Sequence, residues 1–140
     1  MKKVLFIDEH PLARKGLALI LETASDLAVF GQDASVPEAL KLLESLDPDV
    51  IILDLEMPKM DGITFLEKLN EDQKYPIIVV SNYASDGSEI VNDAMILGAV
   101  DSLMPPPSNS KTDLESFKNI LRHKITKASL RSSRYNLSYN

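Results

Sequence analysis

Acidic residues follow two apolar runs of the sequence and could bind a cation together. In the segment VIILDLEMPKMDG, Asp54 comes directly after residues 50–53, four apolar residues that predict a buried strand. Asp8 and Glu9 directly follow a second apolar run, residues 4–7. A carboxylate at the edge of a hydrophobic core is costly unless an ionic partner compensates its charge. The three acids therefore suggest a metal site.

The surrounding pattern predicts the elements that would position these acids. Apolar runs alternate with helical patterns at intervals of roughly 20 to 25 residues, which is typical of a parallel sheet covered by helices. We predict an α/β fold, a doubly wound sheet of five parallel strands in the flavodoxin-like order 2-1-3-4-5, with helices on both faces. The predicted strands are residues 4–7, 27–30, 50–53, 77–80 and 100–104, and the predicted helices are residues 11–24, 36–45, 62–70, 88–97 and 113–130.

In this strand order the first and third strands are neighbours, so Asp8, Glu9 and Asp54 would meet at the carboxyl edge of the sheet. Three converging carboxylates repel one another unless a divalent cation is bound. Oxygen ligands without His or Cys favour Mg²⁺, which keeps several waters and accepts a substrate phosphate. The predicted site is therefore suited to phosphoryl chemistry.

Length and composition predict a single domain. With 140 residues and 44% hydrophobic content, the chain is long enough for one hydrophobic core. We expect a domain of residues 1–130 and a polar tail of residues 131–140. The absence of cysteine excludes disulfides and thiolate metal sites and is compatible with a reducing cytosol. No apolar run approaches the roughly 18 residues of a membrane span, and the N-terminal run is too short for a signal peptide, so a cytoplasmic location without membrane contact is expected.

The net charge of −6 hides a strong asymmetry between the two ends of the chain. All 21 acidic residues precede Ser116, and the sequence after that point contains bases but no acids. This basic end either complements a helix dipole and the acidic body or binds an acidic partner. Nucleic-acid binding is not expected, because the domain as a whole is acidic. The bases are Lys118, Arg122, Lys124, Lys127, Arg131 and Arg134.

Four segments together resemble the receiver domain of response regulators. They are VLFIDEH (4–10), LDLEMPKMDG (53–62), VVSN (79–82) and GAVDSLMPPP (98–107). Within that family, the chain is most similar to the receiver domain of the chemotaxis protein-glutamate methylesterase. The resemblance implies two-component, phosphorelay signal transduction in which a sensor histidine kinase donates a phosphoryl group.

The resemblance also implies a role for each candidate site residue. Asp54 is similar to the phosphoacceptor, and Asp8 and Glu9 are similar to the magnesium-binding acidic pair. The backbone carbonyl of Glu56 matches the third protein ligand, and Ser81 matches the hydroxyl that bonds the phosphoryl group and switches the loop. No separate effector enzyme domain is expected, and any enzymatic activity would be at most self-phosphorylation and autodephosphorylation at Asp54.

The loop after Asp54 would be shaped by two dipeptides, Met57-Pro58 and Asp61-Gly62. Pro58 fixes one backbone angle, and Gly62 is expected to relax another. The simpler interpretation of Asp61 is a cap of the following helix.

Two positions depart from the family pattern. Pro105 stands where receivers carry a Lys followed by Pro, and Ser102 stands where many carry an aromatic switch residue. Losing the Lys is expected to weaken phosphorylation or its readout by about one to two orders of magnitude. Lys111 or Lys59 could supply a cation instead, and Asn82, larger than the usual small residue, could narrow access to the phosphoryl group.

Other functions remain open beside the phosphoacceptor. The alternative is a phosphorylation-independent pseudo-receiver that binds a downstream protein through the face of helix 4, strand 5 and helix 5. A magnesium-dependent phosphatase is less favoured, because Asp54 is followed by Leu55 and Glu56 and so lacks a DxD arrangement. Esterase activity is not expected, because the nine residues after Arg131 cannot form the methylesterase's catalytic domain.

Overall fold

The protein forms a parallel sheet flanked by helices. The computed structural model describes residues 3–7, 16, 19, 36–56, 62–71, 75–84 and 88–131. Its elements are β1 (Val4–Ile7), α1 (Val36–Leu46), β2 (Val50–Asp54), α2 (Gly62–Asn70), β3 (Ile77–Val80), α3 (Glu89–Ile96), β4 (Asp101–Leu103) and α4 (Lys111–Ser129).

These elements lie where the sequence predicts them, with ends that differ by at most two residues. Asp54 is the last residue of its strand rather than the first residue after it. The predicted strand at residues 27–30 lies outside the described residues. Of the predicted helix at residues 11–24, Gly16 and Leu19 are described, and both are helical.

The four described strands are all parallel and lie in the order β1-β2-β3-β4. They correspond to the predicted first, third, fourth and fifth strands, and their neighbours agree with the predicted order. Ile7 pairs with Leu53, and Asp54 pairs with Val80. This register brings the carboxyl ends of the strands to one edge of the sheet.

Helices cover both faces of the sheet because alternate strand side chains point to opposite sides. Both faces of the central strands are buried, which explains why their sequences are continuous apolar runs. One of the two cores, on one face of the sheet, joins Leu5, Ile7, Ile51, Leu53, Ile77 and Val79 to α1, α2 and α3. The other core, on the opposite face, joins Val4, Phe6, Val50, Ile52, Ile78 and Val80 to α4.

No helix in the described ranges is both long and apolar enough to cross a membrane.

Helix α4 packs on the sheet through residues at helical spacing, Phe117, Leu121 and Ile125, which are all buried. Its N-terminus is capped by Ser110, whose Oγ accepts the backbone N–H of Asp113 at 3.2 Å. The first half of α4 therefore lies directly beside the loop that follows β4.

Candidate functional site

Asp54 lies at the carboxyl edge of the sheet and is only 6% exposed. It ends β2 opposite Val80, the last residue of β3. The N–H of Leu55 donates to the Val80 carbonyl at 2.9 Å, so the two strand ends stay bonded one residue beyond Asp54. The main chain thus places Asp54 next to the segment that begins at Ser81.

The Asp54 carboxylate is hydrogen-bonded to its own loop. Its Oδ1 accepts the backbone N–H of Glu56 at 2.9 Å, as Asp side chains commonly do in turns. A hydrogen bond to an ionised acceptor is stronger than one between neutral groups. This bond therefore orients the carboxylate at the strand end.

Ser81 occupies the neighbouring strand end and is 1% exposed. Its N–H donates to the Leu103 carbonyl at 3.1 Å, which joins it to β4. Its Oγ accepts the Tyr83 N–H at 3.0 Å, and its carbonyl accepts the Ala84 N–H at 3.1 Å. The hydroxyl acts as an acceptor in this tight turn, so its proton can still be donated.

The Glu56 side chain ties the Asp54 loop to the Ser81 turn. Its Oε1 accepts the backbone N–H of Asn82 at 2.6 Å. Its Oε2 is buried and has no hydrogen-bond partner among the described residues. The sequence pattern predicted a role only for the Glu56 backbone carbonyl. The sequence signal that could have indicated this side-chain role is the acid itself, two residues beyond Asp54. It lies near the edge of the sheet at which the neighbouring strand also ends.

Gly62 is required by close packing, which corrects the expectation that it relaxes a backbone angle. A Cβ at Gly62 would lie 2.7 Å from the Leu55 Cα and 2.9 Å from the Asp54 carbonyl oxygen. Among the described residues, positive φ angles occur at Asp47 and Gly98 but not at Gly62. The start of α2 therefore packs directly on the backbone that carries the candidate phosphoacceptor.

The side of the site near β4 carries the two departures noted in the sequence. Pro105 is buried just beyond β4, at the position where the family pattern has a Lys. Lys111 begins α4 and is exposed, and within the described ranges no Lys or Arg forms an ion pair with Asp54. Lys59 lies outside those ranges. The nearby Lys124 is engaged with Asp101, at 2.7 Å between Nζ and Oδ1.

The donor set for a metal is only partly described. Asp8 and Glu9 lie outside the described residues, as do Met57, Pro58 and Asp61. In the ranges that are described, no group of three or more His, Cys, Asp or Glu side chains could hold an ion. The Asp54 carboxylate and the buried, unpartnered Oε2 of Glu56 are nevertheless hard oxygen donors. What is described therefore fits part of a magnesium site.

Fold and site together define a receiver-type α/β protein, with an acid at the end of β2 and a hydroxyl at the end of β3. The chain belongs to the response regulator receiver domain family, whose model matches residues 4–113. The resemblance seen in the sequence is thereby confirmed.

Among curated proteins, the chain is similar to the protein-glutamate methylesterase/protein-glutamine glutaminase of Nitrosomonas europaea, at 40% identity over 131 residues, covering 92% of this chain and 37% of the relative. The protein of the same name from Halalkalibacterium halodurans is 40% identical over 126 residues, covering 90% of this chain and 36% of the relative. The chain thus spans about a third of the length of the curated relatives it matches.

Solved structures of receiver domains share the fold. The response regulator domain of Thermotoga maritima CheB superposes with a TM-score of 0.76 at 29% identity, covering 92% of this chain and 96% of that one. The Mn²⁺-bound form of response regulator Rcp1 superposes with a TM-score of 0.69 at 19% identity, covering 89% and 95%. The similarity to methylesterase receiver domains predicted from the sequence is therefore confirmed.

Proposed function

We propose that this chain is a two-component receiver that accepts a phosphoryl group on Asp54 from a sensor histidine kinase. One observation carries the proposal. Asp54 is a buried carboxylate at a strand end, oriented by the Glu56 N–H at 2.9 Å and set beside the strand end that carries Ser81. A buried acid held in this way has little structural value, because burying a charge is costly.

The transfer step needs a nucleophile and an in-line donor. An Asp54 carboxylate oxygen attacks the phosphorus of a kinase phosphohistidine and forms an O–P bond as the P–N bond breaks. The bonding electrons leave with the imidazole, which then takes up a proton. The product is an aspartyl phosphate on Asp54. Because the transition state is loose, positioning and electrostatics supply most of the rate.

Ser81 would respond to the new phosphoryl group. Its hydroxyl can donate to a phosphoryl oxygen by turning toward Asp54, and this movement would release the Tyr83 N–H that it now accepts at 3.0 Å. The turn of residues 81–84 would then lose one of its bonds. A local charge change at Asp54 would in this way bias the conformation of the adjacent loop.

Magnesium is proposed to be held by Asp8, Glu9, Asp54 and the Glu56 backbone carbonyl. Asp8 and Glu9 directly follow β1, whose last residue pairs with Leu53 in the strand that ends at Asp54. β1 therefore ends at the strand end next to Asp54, and in the sequence Asp8 and Glu9 come directly after it. A bound Mg²⁺ would neutralise charge on the phosphoryl oxygens.

A second function, a pseudo-receiver that binds a protein without phosphorylation, is favoured by the buried Pro105. A proline side chain carries no positive charge. The phosphoryl group on Asp54 would therefore lack the cationic partner that the family pattern provides at this position. In that case the face formed by α3, β4 and α4 would engage a downstream protein. The methylesterase and glutaminase activities named for the relatives are not proposed, because the part of the chain that matches a family model, residues 4–113, matches the receiver domain.

Phosphorylation by a small donor separates the two functions. The protein is incubated with Mg²⁺ and acetyl phosphate, and intact mass is followed for wild type, Asp54→Asn and Pro105→Lys. We expect wild type to gain one phosphoryl group, Asp54→Asn to gain none, and Pro105→Lys to be labelled about 10 to 100 times faster.

Pro107→Lys is the matched control, because Pro107 is exposed in the same loop, and its labelling rate should equal that of wild type. Labelling that persists in Asp54→Asn would contradict the phosphoacceptor. Labelling that appears only in Pro105→Lys would favour the binding module.

A further inference from the structure

A trough runs along the seam between β4, which is an edge strand of the described sheet, and α4. Its largest part is a groove of about 640 Å³ beside the loop after β4. A second depression of about 390 Å³ adjoins it and shares Ile120 and Lys124 with it. A third, of about 50 Å³, shares Lys124 and Lys127 with the second and reaches Arg131. The three depressions therefore adjoin one another along α4.

The wide end of the trough is apolar and open. Phe117 lines it, and Met104 and Ile120 are about half exposed, at 48% and 47%. Pro106 and Ser102 also line it. Ser102 has a small side chain, which leaves this end of the groove open.

The narrow end of the trough is basic. His123 and Lys127 line it and are exposed, and Arg131 lies at its far end. The two acids along the seam are already bonded within the protein. Asp101 is paired with Lys124 at 2.7 Å, and Asp113 Oδ2 accepts the Ser108 hydroxyl at 2.5 Å.

We propose that this trough binds an extended, acidic segment of a partner protein, with one aromatic side chain in the apolar end and carboxylates at the basic end. A ring in the groove buries a large apolar area, and interfaces commonly use such anchors. The positive end selects acidic neighbours of that ring.

The length of the trough sets the spacing of these two features in the partner. Ile120 lies on α4 and Arg131 lies two residues beyond its end, and their separation of eleven positions corresponds to about 16 Å at the rise of a helix. An extended chain covers that distance in about five residues. The partner's aromatic side chain and its last carboxylate are therefore expected about five residues apart.

This proposal deepens the second function above, partner binding, and rests on it. It uses neither Asp54 nor the phosphoryl group, so Asp54→Asn should bind the partner segment as wild type does. Binding of the partner segment can therefore be tested independently of whether Asp54 is phosphorylated.

The test uses the full chain and fluorescein-labelled peptides of about ten residues, in which one phenylalanine stands about five residues before or after a run of glutamates. Binding is measured by fluorescence anisotropy. We expect saturable binding of at least one of the two peptide orders. Replacing the peptide's phenylalanine with serine should weaken binding at least about 10-fold, because the anchor is lost.

Two variants test the two ends of the trough. Ile120→Glu changes a half-exposed residue and should weaken binding at least about 10-fold. Lys127→Glu should weaken it about 3-fold at low salt, and the difference should vanish near 1 M salt, where charges are screened. Lys41→Glu is the matched control for Lys127→Glu, because Lys41 is exposed on α1 and lies outside both the trough and the face of α3, β4 and α4, and its affinity should stay within about twofold of wild type.

Absence of saturable binding by both peptides would overturn the proposal, as would equal binding by Ile120→Glu. Self-association of wild type that Ile120→Glu abolishes would also overturn it, since a second copy would then be the occupant. Acetyl phosphate labelling of the same preparations is scored separately. Labelling without peptide binding refutes only this inference, and peptide binding without labelling refutes only the phosphoacceptor.

Discussion

Replacing Gly62 with alanine sets two opposing effects against each other. Alanine favours a helix over glycine by at most about 1 kcal/mol. Against this, the added Cβ would lie 2.7 Å from the Leu55 Cα and 2.9 Å from the Asp54 carbonyl oxygen. Both atoms belong to the backbone, so no flexible side chain can move aside. Phe65 and Leu66 of the same helix are fully buried against the sheet and resist a shift of α2.

Overpacking of this kind typically costs about 1 to 3 kcal/mol. The cost at Gly62 should lie in the upper part of that range, because the atoms that the added Cβ would contact belong to the backbone. We therefore expect Gly62→Ala to lower the free energy of unfolding by about 1 to 2 kcal/mol. The midpoint of thermal unfolding should fall by roughly 3 to 8 °C. Labelling of Asp54 by acetyl phosphate should also slow, because the displaced backbone carries the carboxylate.

Urea denaturation followed by circular dichroism measures the stability change. Asn92→Ala is the matched control, because Asn92 is exposed on α3 and the substitution brings helix propensity without a backbone contact. That variant should be as stable as wild type or slightly more stable. A Gly62→Ala protein that gains stability as Asn92→Ala does would refute the packing account.

Two further substitutions test how α4 is held. Leu121→Ala, at a fully buried position in the core between α4 and the sheet, should cost about 2 to 5 kcal/mol in urea denaturation, and a cost below about 1 kcal/mol would show that α4 does not pack there as described. Ser110→Ala removes the acceptor of the Asp113 N–H and should lower the free energy of unfolding by about 1 kcal/mol. Ser110→Asn should restore most of that stability, because Asn is also a good N-cap residue. Equal stability of Ser110→Ala and wild type would show that the cap contributes nothing.

The sequence was sufficient to predict the central strands, because their apolar runs end abruptly at polar residues. β1 and β3 begin and end where predicted, and Asp54 and Ser81 lie at the strand ends where the pattern put them. β4 is shorter than predicted. Asp101 and Ser102 are only partly buried, so its pattern lacks a continuous apolar run.

The contacts around Asp54 could not be predicted in the same way, because they depend on which loops face each other. The bond from the Asn82 N–H to Glu56 joins residues 26 positions apart. The packing of Gly62 on Leu55 likewise depends on the angle at which α2 leaves the loop. Neither contact has a local sequence signal. The trough beside α4 combines a strand, a loop and a helix, and the acid-free end of the sequence indicated only its charge.

The most direct test of the central claim is to identify the residue that carries the phosphoryl group. The protein is treated with Mg²⁺ and acetyl phosphate and then with sodium borohydride, which reduces an acyl phosphate of aspartate to homoserine, and the digested peptides are sequenced by mass spectrometry. We predict homoserine at position 54, only in the sample that received acetyl phosphate. Homoserine at another aspartate, or the corresponding five-carbon hydroxy amino acid at a glutamate, with Asp54 unchanged, would contradict the assignment of Asp54 as the phosphoacceptor.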